Sequence, residues 1–233
     1  IAGWPEVQRE LAPVALDRPS RALYAASWKA FRTELGLAGG STRTPSGRVA
    51  ELRFRQKASL LRIAGTADFA ETLLDSGEQV AISVAFLETG AMLAETLRSR
   101  GWRVSEINGE RTGEANEQAR IAFQTGEADV AVFTVSESIS LHEGEMKGGE
   151  KPRALIIHDM RHSAIQLQQI EGRCHRDGQR ALIHYAYAED TVEELVTARV
   201  VARMSSMDGM AGDDIAMFDA IAEQLEKGRQ TAD

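Results

Sequence analysis

The chain has 233 residues, of which 43% are hydrophobic and 27% charged, and it carries a formal net charge of −8 at pH 7. This composition is typical of a soluble globular protein that buries a core, and the acidic balance argues against a protein that coats nucleic acid through bulk electrostatics. No apolar run approaches the roughly 20 residues of a membrane span, and the single cysteine, Cys174, excludes an intrachain disulfide and argues against a cysteine-based zinc site.

The first third of the chain predicts two helices separated by a loop. Apolar positions recur at helical spacing in residues 17–35 and again in residues 50–74. Residues 36–47 between them are rich in glycine, serine, threonine and proline, which is typical of a flexible loop. Residues 43–62, which we name the basic strip, hold six basic side chains against the single acid Glu51. The basic strip is either a solvated helix face or a surface that contacts phosphate groups.

From residue 79 onward, short apolar runs alternate with helical patterns. Such alternation predicts a parallel sheet with helices on both faces, because right-handed crossovers place the helices there. Ligands of these sheets bind at the carboxyl ends of the strands, so we expect a site at the turns after Phe86, Ile107, Val135 and Asp159. Strands are predicted at residues 79–86, 102–107, 128–135, 153–159 and 181–187, helices at residues 88–101, 113–126, 163–177 and 190–204, and a last, acidic amphipathic helix at residues 213–228.

The stretch QQIEGRCHRDGQ, residues 168–179, combines glutamines and arginines in a helical pattern. Gln169, Gly172, Arg173 and Arg176 stand at spacing 0, 3, 4 and 7, which places them on one helical face. Two arginines on one face can each bind phosphate oxygens through two parallel hydrogen bonds. The alternative is a pair of exposed arginines near the end of an ordinary surface helix. Leu167, Ile170 and Cys174 repeat on roughly the opposite face, which predicts that this face packs.

The surrounding segment, QLQQIEGRCHRDGQRALIHYAYAEDTVEELV (residues 166–196), resembles motif VI and the following strand and helix of superfamily II helicases, in their Swi/Snf branch. The resemblance extends over about residues 15–205, in the order the family has. Earlier stretches also match: VAISVAFLET (80–89) resembles motif IV, SEINGERTGEANEQARIAFQ (105–124) the glycine turn and helix after it, DVAVFTVSESISLH (129–142) motif V, and ALIIHDM (154–160) a strand with a terminal aspartate.

The resemblance implies a RecA-like α/β fold, with helical extensions at both ends, that serves as the C-terminal lobe of an ATP-driven DNA motor. We expect a lead-in helix and loop in residues 1–50, the RecA-like domain in 51–205 and an acidic helix in 206–233. The sequence holds neither a phosphate-binding loop of the G-x-x-x-x-G-K-[ST] type nor an Asp-Glu pair. This chain alone is therefore expected not to hydrolyse ATP. ATP and Mg²⁺ would be held mainly by an amino-terminal partner lobe, inside a cell, in its cytoplasm or that of a host.

The resemblance also assigns roles to single residues. Arg176 takes the role of the arginine finger, Arg173 contacts phosphate, Gln169 senses the nucleotide, and Gly172 allows a close approach. His175 and Cys174 are expected to be structural. The expected contacts to nucleic acid are Phe86 and Thr89, Asn108 and Gly109, and Thr134, Ser136 and Ser138.

The sequence departs from the Swi/Snf pattern in several places. Ala85 stands where motif IV commonly has glutamine, Glu137 replaces the usual glycines of motif V, and a polar insertion follows at residues 142–152. Residues 160–162 replace a usual tryptophan and proline. These features resemble strawberry-notch-like and phage- or plasmid-borne relatives and leave the assignment of the arginines unchanged. Two alternatives to a DNA motor stay open: a RecA-like binding module without turnover, and a motor that moves on RNA.

Overall fold

The computed structural model of the chain describes residues 7–134, 139–148, 150–175, 181–206, 218–219 and 221–223. These residues form one six-stranded sheet in the order β1-β6-β5-β2-β4-β3, and every neighbouring pair is parallel. The predicted parallel α/β sheet is therefore confirmed. The strands are β1 (Val7–Val14), β2 (Gln79–Ser83), β3 (Val104–Ile107), β4 (Val130–Phe133), β5 (Arg153–Ile157) and β6 (Ala181–Ala188).

The helices begin at residues whose side chains accept hydrogen bonds from the first turn. Asp17 does so for the amide of Ser20, and Thr44, Thr112 and Ser163 cap later helices in the same way. Most helices were predicted to within a few residues. The helices are α1 (Arg18–Leu37), α2 (Pro45–Leu61), α3 (Ile63–Asp75), α4 (Leu87–Ser99), α5 (Gly113–Gln124), α6 (Ala164–Glu171) and α7 (Val192–Ser205).

Two predictions for the first third of the chain were wrong. Residues 50–74 form two helices rather than one, because the chain breaks at Arg62, which ends α2 and precedes α3. The loop expected at residues 36–47 is shorter, since α1 continues to Leu37 and α2 begins at Pro45. Proline is favoured in the first helical turn because the N–H groups there have no acceptor within the helix, so a residue without an N–H loses no hydrogen bond.

The strand β1 was not predicted at all. It carries charged residues and Pro13, which is tolerated because β1 lies at the edge of the sheet, beside β6. Helix α3 packs directly on its carboxyl end: a Cβ atom at Gly65 would come within 2.8 Å of the Cβ atom of Val14. The residues before α1 therefore belong to the same sheet as the rest of the chain.

The core lies on both faces of the sheet. Along β5, Leu155 and Ile157 contact one apolar cluster, while Ala154 and Ile156 contact the other. This alternation follows from the two-residue period of a strand. The first cluster includes aromatic rings of α1, α2 and the segment around Phe218, whose ring centroid lies 5.7 Å from that of Phe54. Within the described residues, no helix is long and apolar enough to cross a membrane.

Candidate functional site

A buried polar network joins the ends of β2 and β5 at the carboxyl edge of the sheet, where the strands end. Asp159, 3% exposed, is its centre. One carboxylate oxygen accepts hydrogen bonds from the amide of Ala85 (2.9 Å) and the hydroxyl of Ser59 (3.0 Å), and the other accepts one from Arg62 (2.7 Å). Asp159 therefore fixes the turn after β2 relative to β5 and to α2.

The Arg62 guanidinium, at the break between α2 and α3, is enclosed by acceptors. It also donates to the carbonyl of His158 (2.8 Å) and to the carboxylate of Glu193 in α7. Burial alone would lower the pKa of Arg62, but the charges of Glu193 and Asp159 outweigh burial and raise it. For Asp159, burial alone would raise the pKa, but the charge of Arg62 and the hydrogen bonds from Ala85 and Ser59 lower it. The network thus holds a charged pair in the interior.

His158 is a neutral part of the same network. Its Nε2 lies 2.9 Å from the carbonyl oxygen of Ser59, and its Nδ1 lies 2.8 Å from the hydroxyl of Thr66. A carbonyl only accepts, so Nε2 carries the proton and Nδ1 accepts from the threonine. Burial lowers the pKa of His158 to about 4. The ring is therefore structural at neutral pH.

The predicted nucleic-acid residues after β2 differ from one another. Phe86 is half-buried and directly precedes α4, with the exposed Leu87 beside it. Thr89 is only 1% exposed, and its hydroxyl lies 2.9 Å from that of Ser59. Since the Ser59 proton is donated to Asp159, Thr89 is the donor in this contact. The prediction that Thr89 faces a nucleic acid does not fit this position, because its hydroxyl is enclosed and already bonded.

The turns after β3 and β4 lie beside each other at the same edge, because the amide of Thr134 donates to the carbonyl of Ile107 (3.0 Å). Asn108 shapes its own turn: its side-chain oxygen accepts from the amides of Glu110 (3.1 Å) and Arg111 (3.2 Å). Gly109 is exposed, and nothing lies within 4 Å of a Cβ placed there. The structure thus brings Asn108, Gly109 and Thr134 to one edge, and Ser136 and Ser138 lie outside the described residues.

The predicted arginine helix is shorter than the sequence pattern indicated. Helix α6 ends at Glu171, with Gly172 as its cap, so Gly172 and Arg173 lie in the turn beyond it. Cys174 and His175, which follow, are both buried. The structure therefore does not place Gln169, Gly172 and Arg173 together on one helix. Arg176 lies outside the described residues, and its position stays a prediction.

The remaining motif VI residues occupy different environments. Gln169 and Gly172 are exposed, and a Cβ atom at Gly172 would meet only ordinary contacts at 3.5 Å or more. Among the described residues, no close approach therefore requires that glycine. Arg173 is half-buried, and burial lowers its pKa, although a guanidinium keeps its charge at neutral pH. Its carbonyl oxygen accepts from the amide of Leu141 (2.8 Å), which joins the turn after α6 to the segment after β4.

The turn after α6 lies at the amino edge of the sheet, where the strands begin. Burial raises the pKa of the Cys174 thiol to about 12, against the opposing charge of Arg153, the first residue of β5. Cys174 is 1% exposed, so its prediction as a core residue is confirmed. Arg153 donates to the side chain of Gln79 at the start of β2, and its guanidinium carbon lies 4.9 Å from the centre of the Phe123 ring.

A second buried pair ties α6 to the sheet. Arg9 of β1 donates two hydrogen bonds of 2.7 Å to the carboxylate of Glu171, and the hydroxyl of Tyr185 donates a third of 2.6 Å. Sequence reasoning missed this pair, as it missed the contacts that Ser59 and Arg62 make with Asp159. Only the position of Asp159 at the end of an apolar run gave a signal. Among the described residues, no group of three or more histidine, cysteine or acidic side chains could hold a metal ion.

No model of a protein family matches the chain, and no curated protein matches it. Several solved structures match the chain in their fold. The Swi2/Snf2 ATPase core domain of Sulfolobus solfataricus matches 96% of this chain with a TM-score of 0.72 and 16% identity, and the chain covers 48% of it, about half its length. The same core in complex with dsDNA matches 85% of the chain (TM-score 0.65, 16% identity, 44% of that chain covered). The C-terminal part of the Fun30 ATPase domain matches 96% (TM-score 0.61, 10% identity, 98% of that chain covered).

The chain has the fold of the C-terminal lobe of a Swi2/Snf2 ATPase. The match to nearly the whole C-terminal part of Fun30, and to about half of the two Swi2/Snf2 cores, confirms the predicted resemblance at the level of the fold. In this Swi2/Snf2-like lobe, motif IV and the start of motif V lie at the carboxyl edge, while the described part of motif VI lies at the amino edge.

Proposed function

We propose that this chain is the C-terminal motor lobe of an ATP-dependent DNA helicase or translocase. The observation that carries the proposal is the match to the C-terminal part of the Fun30 ATPase domain. The match includes 96% of this chain and 98% of that part. A RecA-like lobe of this kind acts together with an amino-terminal lobe. The cytoplasm is the expected place of action.

The carboxyl edge is the proposed track for nucleic acid. The turns after β2, β4 and β3 are neighbours there, and they carry Phe86, Thr134, Asn108 and Gly109; Ser136 and Ser138 follow Thr134 in the sequence. Backbone amides and small polar side chains at such turns suit contacts to phosphate and sugar, which do not depend on base sequence. A similar core was solved in complex with dsDNA (TM-score 0.65), while Dbp5 bound to RNA matches with a lower TM-score of 0.51, so DNA is the proposed track and RNA the alternative.

The amino edge is the proposed contact to the nucleotide. ATP with Mg²⁺ would be bound mainly by the amino-terminal lobe and supplies a phosphoanhydride bond for hydrolysis. Arg173 and Arg176 are proposed to stabilise negative charge on its phosphates, and Gln169 to make a polar contact. The exposed Gln169 and the half-buried, charged Arg173 fit this role, since both lie beside the turn that follows α6. This chain by itself is proposed to be inactive.

The test measures ATP hydrolysis by this chain alone and by a protein that joins it to its amino-terminal lobe, with and without DNA. We expect hydrolysis only from the joined protein, and faster with DNA. Arg176→Ala should lower kcat by about 10³ to 10⁵, the range seen for arginine fingers. Arg199→Ala, at an exposed position of α7, is the matched control and should leave kcat unchanged.

Each contrary result has a distinct meaning. Full turnover by Arg176→Ala, in a protein that unfolds at the same temperature as the parent, would show that the finger is another residue. A joined protein that binds DNA and hydrolyses no ATP would make the chain a binding module. Stimulation by RNA and not by DNA would change the track and keep the motor.

A further inference from the structure

The basic strip forms one wall of an open cavity at the carboxyl edge. The cavity has a volume of about 420 Å³ and lies between α2 and the turn after β5. Helix α2 turns one face toward it, since residues 48, 51, 52 and 55 recur at helical spacing. Its lining consists of Thr42, Arg43, Arg48, Glu51, Leu52, Arg55, His162 and Asp219.

The two acidic side chains of this cavity differ. Glu51, 4% exposed, has its Oε1 3.0 Å from Nε2 of His162 without a hydrogen bond, and its charge acts on Arg55. Asp219 accepts two hydrogen bonds of 2.8 Å from the amide and the hydroxyl of Thr42. The ring of Phe218 next to it packs among the aromatic rings of α1 and α2, which holds Asp219 in place.

The arginines divide into one that is fixed and two that are available. Arg55 donates to the carbonyl oxygen of Met160, and burial lowers its pKa against the opposing charge of Glu51. Arg43 and Arg48 are exposed, and within the part of the chain that the structure describes neither guanidinium donates a hydrogen bond or forms an ion pair. A guanidinium cannot be deprotonated at neutral pH, so the cavity offers two charged guanidinium groups that are available to a ligand. The paired N–H donors of each group match the oxygens of a phosphate.

The cavity continues the row of turns along the carboxyl edge. Arg161, in the turn after β5, donates to the carbonyl of Val84 after β2 (2.7 Å), and Asp159 holds Ala85. The turns after β4 and β3 come next in the sheet order. Three strand spacings of about 4.8 Å each give a row of roughly 14 Å from β5 to β3. A nucleic-acid backbone that crosses these turns would be directed at Arg48 and Arg43.

We infer that this cavity is a phosphate-binding subsite that extends the nucleic-acid track beyond β5, with Arg48 and Arg43 as its ligands and Arg55 as a fixed charge at its wall. The inference rests on the proposed function for the track, and it adds a site outside the strand-end turns. It explains how a chain with a net charge of −8 holds a polyanion: the charge is concentrated where the backbone passes. The shared chemistry is a phosphate group, from nucleic acid or from a free phosphate compound.

The test measures binding of this chain to a fluorescent DNA duplex by anisotropy over a range of salt concentrations. Arg48→Gln should weaken binding about tenfold at low salt, the loss of one charge-assisted contact, and should reduce the slope of log K against log salt by about 0.9. Arg43→Gln should act in the same direction. Arg199→Gln, which removes the same charge from an exposed site on α7, is the matched control and should leave the slope unchanged.

Three outcomes would overturn the inference. The first is an Arg48→Gln slope equal to that of Arg199→Gln, and the second is no DNA binding by the parent chain even at low salt. The third comes from a competition measurement with inorganic phosphate or ATP. If Arg48→Gln weakens the binding of phosphate or ATP and leaves DNA binding intact, the cavity is a site for a free phosphate compound. None of these results decides whether the joined protein hydrolyses ATP. Conversely, an Arg48-dependent slope in a protein without ATPase activity would keep the subsite and refute the motor.

Discussion

The two edges of the sheet are built on the same principle and present different surfaces. At the carboxyl edge, Asp159 bonds the ends of β2 and β5 to α2, and the turns beyond it carry the proposed nucleic-acid contacts. At the amino edge, Glu171 and Arg153 bond α6 and β5 to neighbouring strands beside Arg173. At each edge, a buried ion pair or a hydrogen-bonded arginine fixes the strand ends. Less buried residues, to which we assign the proposed ligand contacts, lie next to it.

The separation of the edges follows from the connection between them. Asp159 and Arg173 are close in sequence. They lie at opposite edges of the sheet because α6, between them, runs from the carboxyl edge back to the amino edge. A strand of five residues such as β5 spans about 16 Å. A motor built on this lobe would therefore couple DNA and nucleotide across the length of the strands, through β5 and α6.

Removing the centre of the carboxyl edge should have the largest effect. Asp159→Ala leaves Arg62 buried beside Glu193 alone and frees the amide of Ala85, so we expect a loss of about 3 to 5 kcal/mol in the free energy of unfolding. Urea unfolding measures it. Arg21→Ala is the control: Arg21, on the exposed face of α1, forms a pair with Asp190 at 3.5 Å, and its loss should cost less than about 1 kcal/mol. Equal losses would show that the Asp159 network does not hold this edge.

The equivalent change at the amino edge is Glu171→Ala. It leaves Arg9 and the hydroxyl of Tyr185 buried without their acceptor, and we expect a loss of about 2 to 4 kcal/mol by the same measurement. Glu171→Gln keeps an acceptor for Tyr185 and should lose less. If both variants were as stable as the parent, α6 would be held by its apolar face alone.

Gly65→Ala should shift the carboxyl end of β1. The added methyl group would lie 2.8 Å from the Cβ atom of Val14, so we expect a loss of about 1 to 3 kcal/mol in unfolding free energy. Gly109→Ala has open space around it and no unusual backbone angle, and it should change stability by less than about 0.5 kcal/mol. A larger loss at Gly109 than at Gly65 would contradict the packing of α3 on β1.

Acid should weaken the carboxyl edge through His158. Its folded pKa is about 4 and the unfolded value is about 6.5, so the unfolded chain binds the proton first as the pH falls. The contribution of neutral His158 to the free energy of unfolding is complete above about pH 6.5 and is lost as the pH falls toward 4. At pH 5.5 the loss is about 1.4 kcal/mol. His158→Gln should reduce the slope of unfolding free energy against pH between 7 and 5. An unchanged slope would assign the pH dependence to His175 and His184, whose pKa values burial also lowers.

The sequence predicted the central fold well because β2, β4 and β5 are buried on both faces and read as continuous apolar runs. It did not predict β1, whose charges and Pro13 are typical of loops as well as of edge strands. The break at Arg62 was hidden because the helical pattern continues through it. The guanidinium of Arg62 at the break bonds to Asp159 and Glu193, which lie about 100 and 130 residues away in the sequence, so the local pattern does not contain these contacts.

The candidate site shows the same division. The turns after Ile107 and Val135 were predicted because the end of an apolar run marks the edge of a sheet, whereas Asn108 and Thr134 themselves were assigned from the family resemblance. The end of α6 was not, since the spacing of Gln169, Gly172 and Arg173 fits a longer helix. Gly172 lowers helix stability by about 1 kcal/mol, and the carbonyl oxygen of Arg173 beyond it accepts a hydrogen bond from the amide of Leu141. This contact with the segment after β4 is a tertiary property that the period alone does not contain.

The most direct test of the two-edge account is the DNA dependence of ATP hydrolysis in the joined protein, which gives kcat and the DNA concentration for half-maximal stimulation. Arg176→Ala should lower kcat by about 10³ or more and leave the half-maximal DNA concentration unchanged. Phe86→Ala, at the other edge, should raise that concentration several-fold. If Arg176→Ala instead changed the DNA concentration and kept kcat, the assignment of nucleotide and nucleic acid to opposite edges would be contradicted.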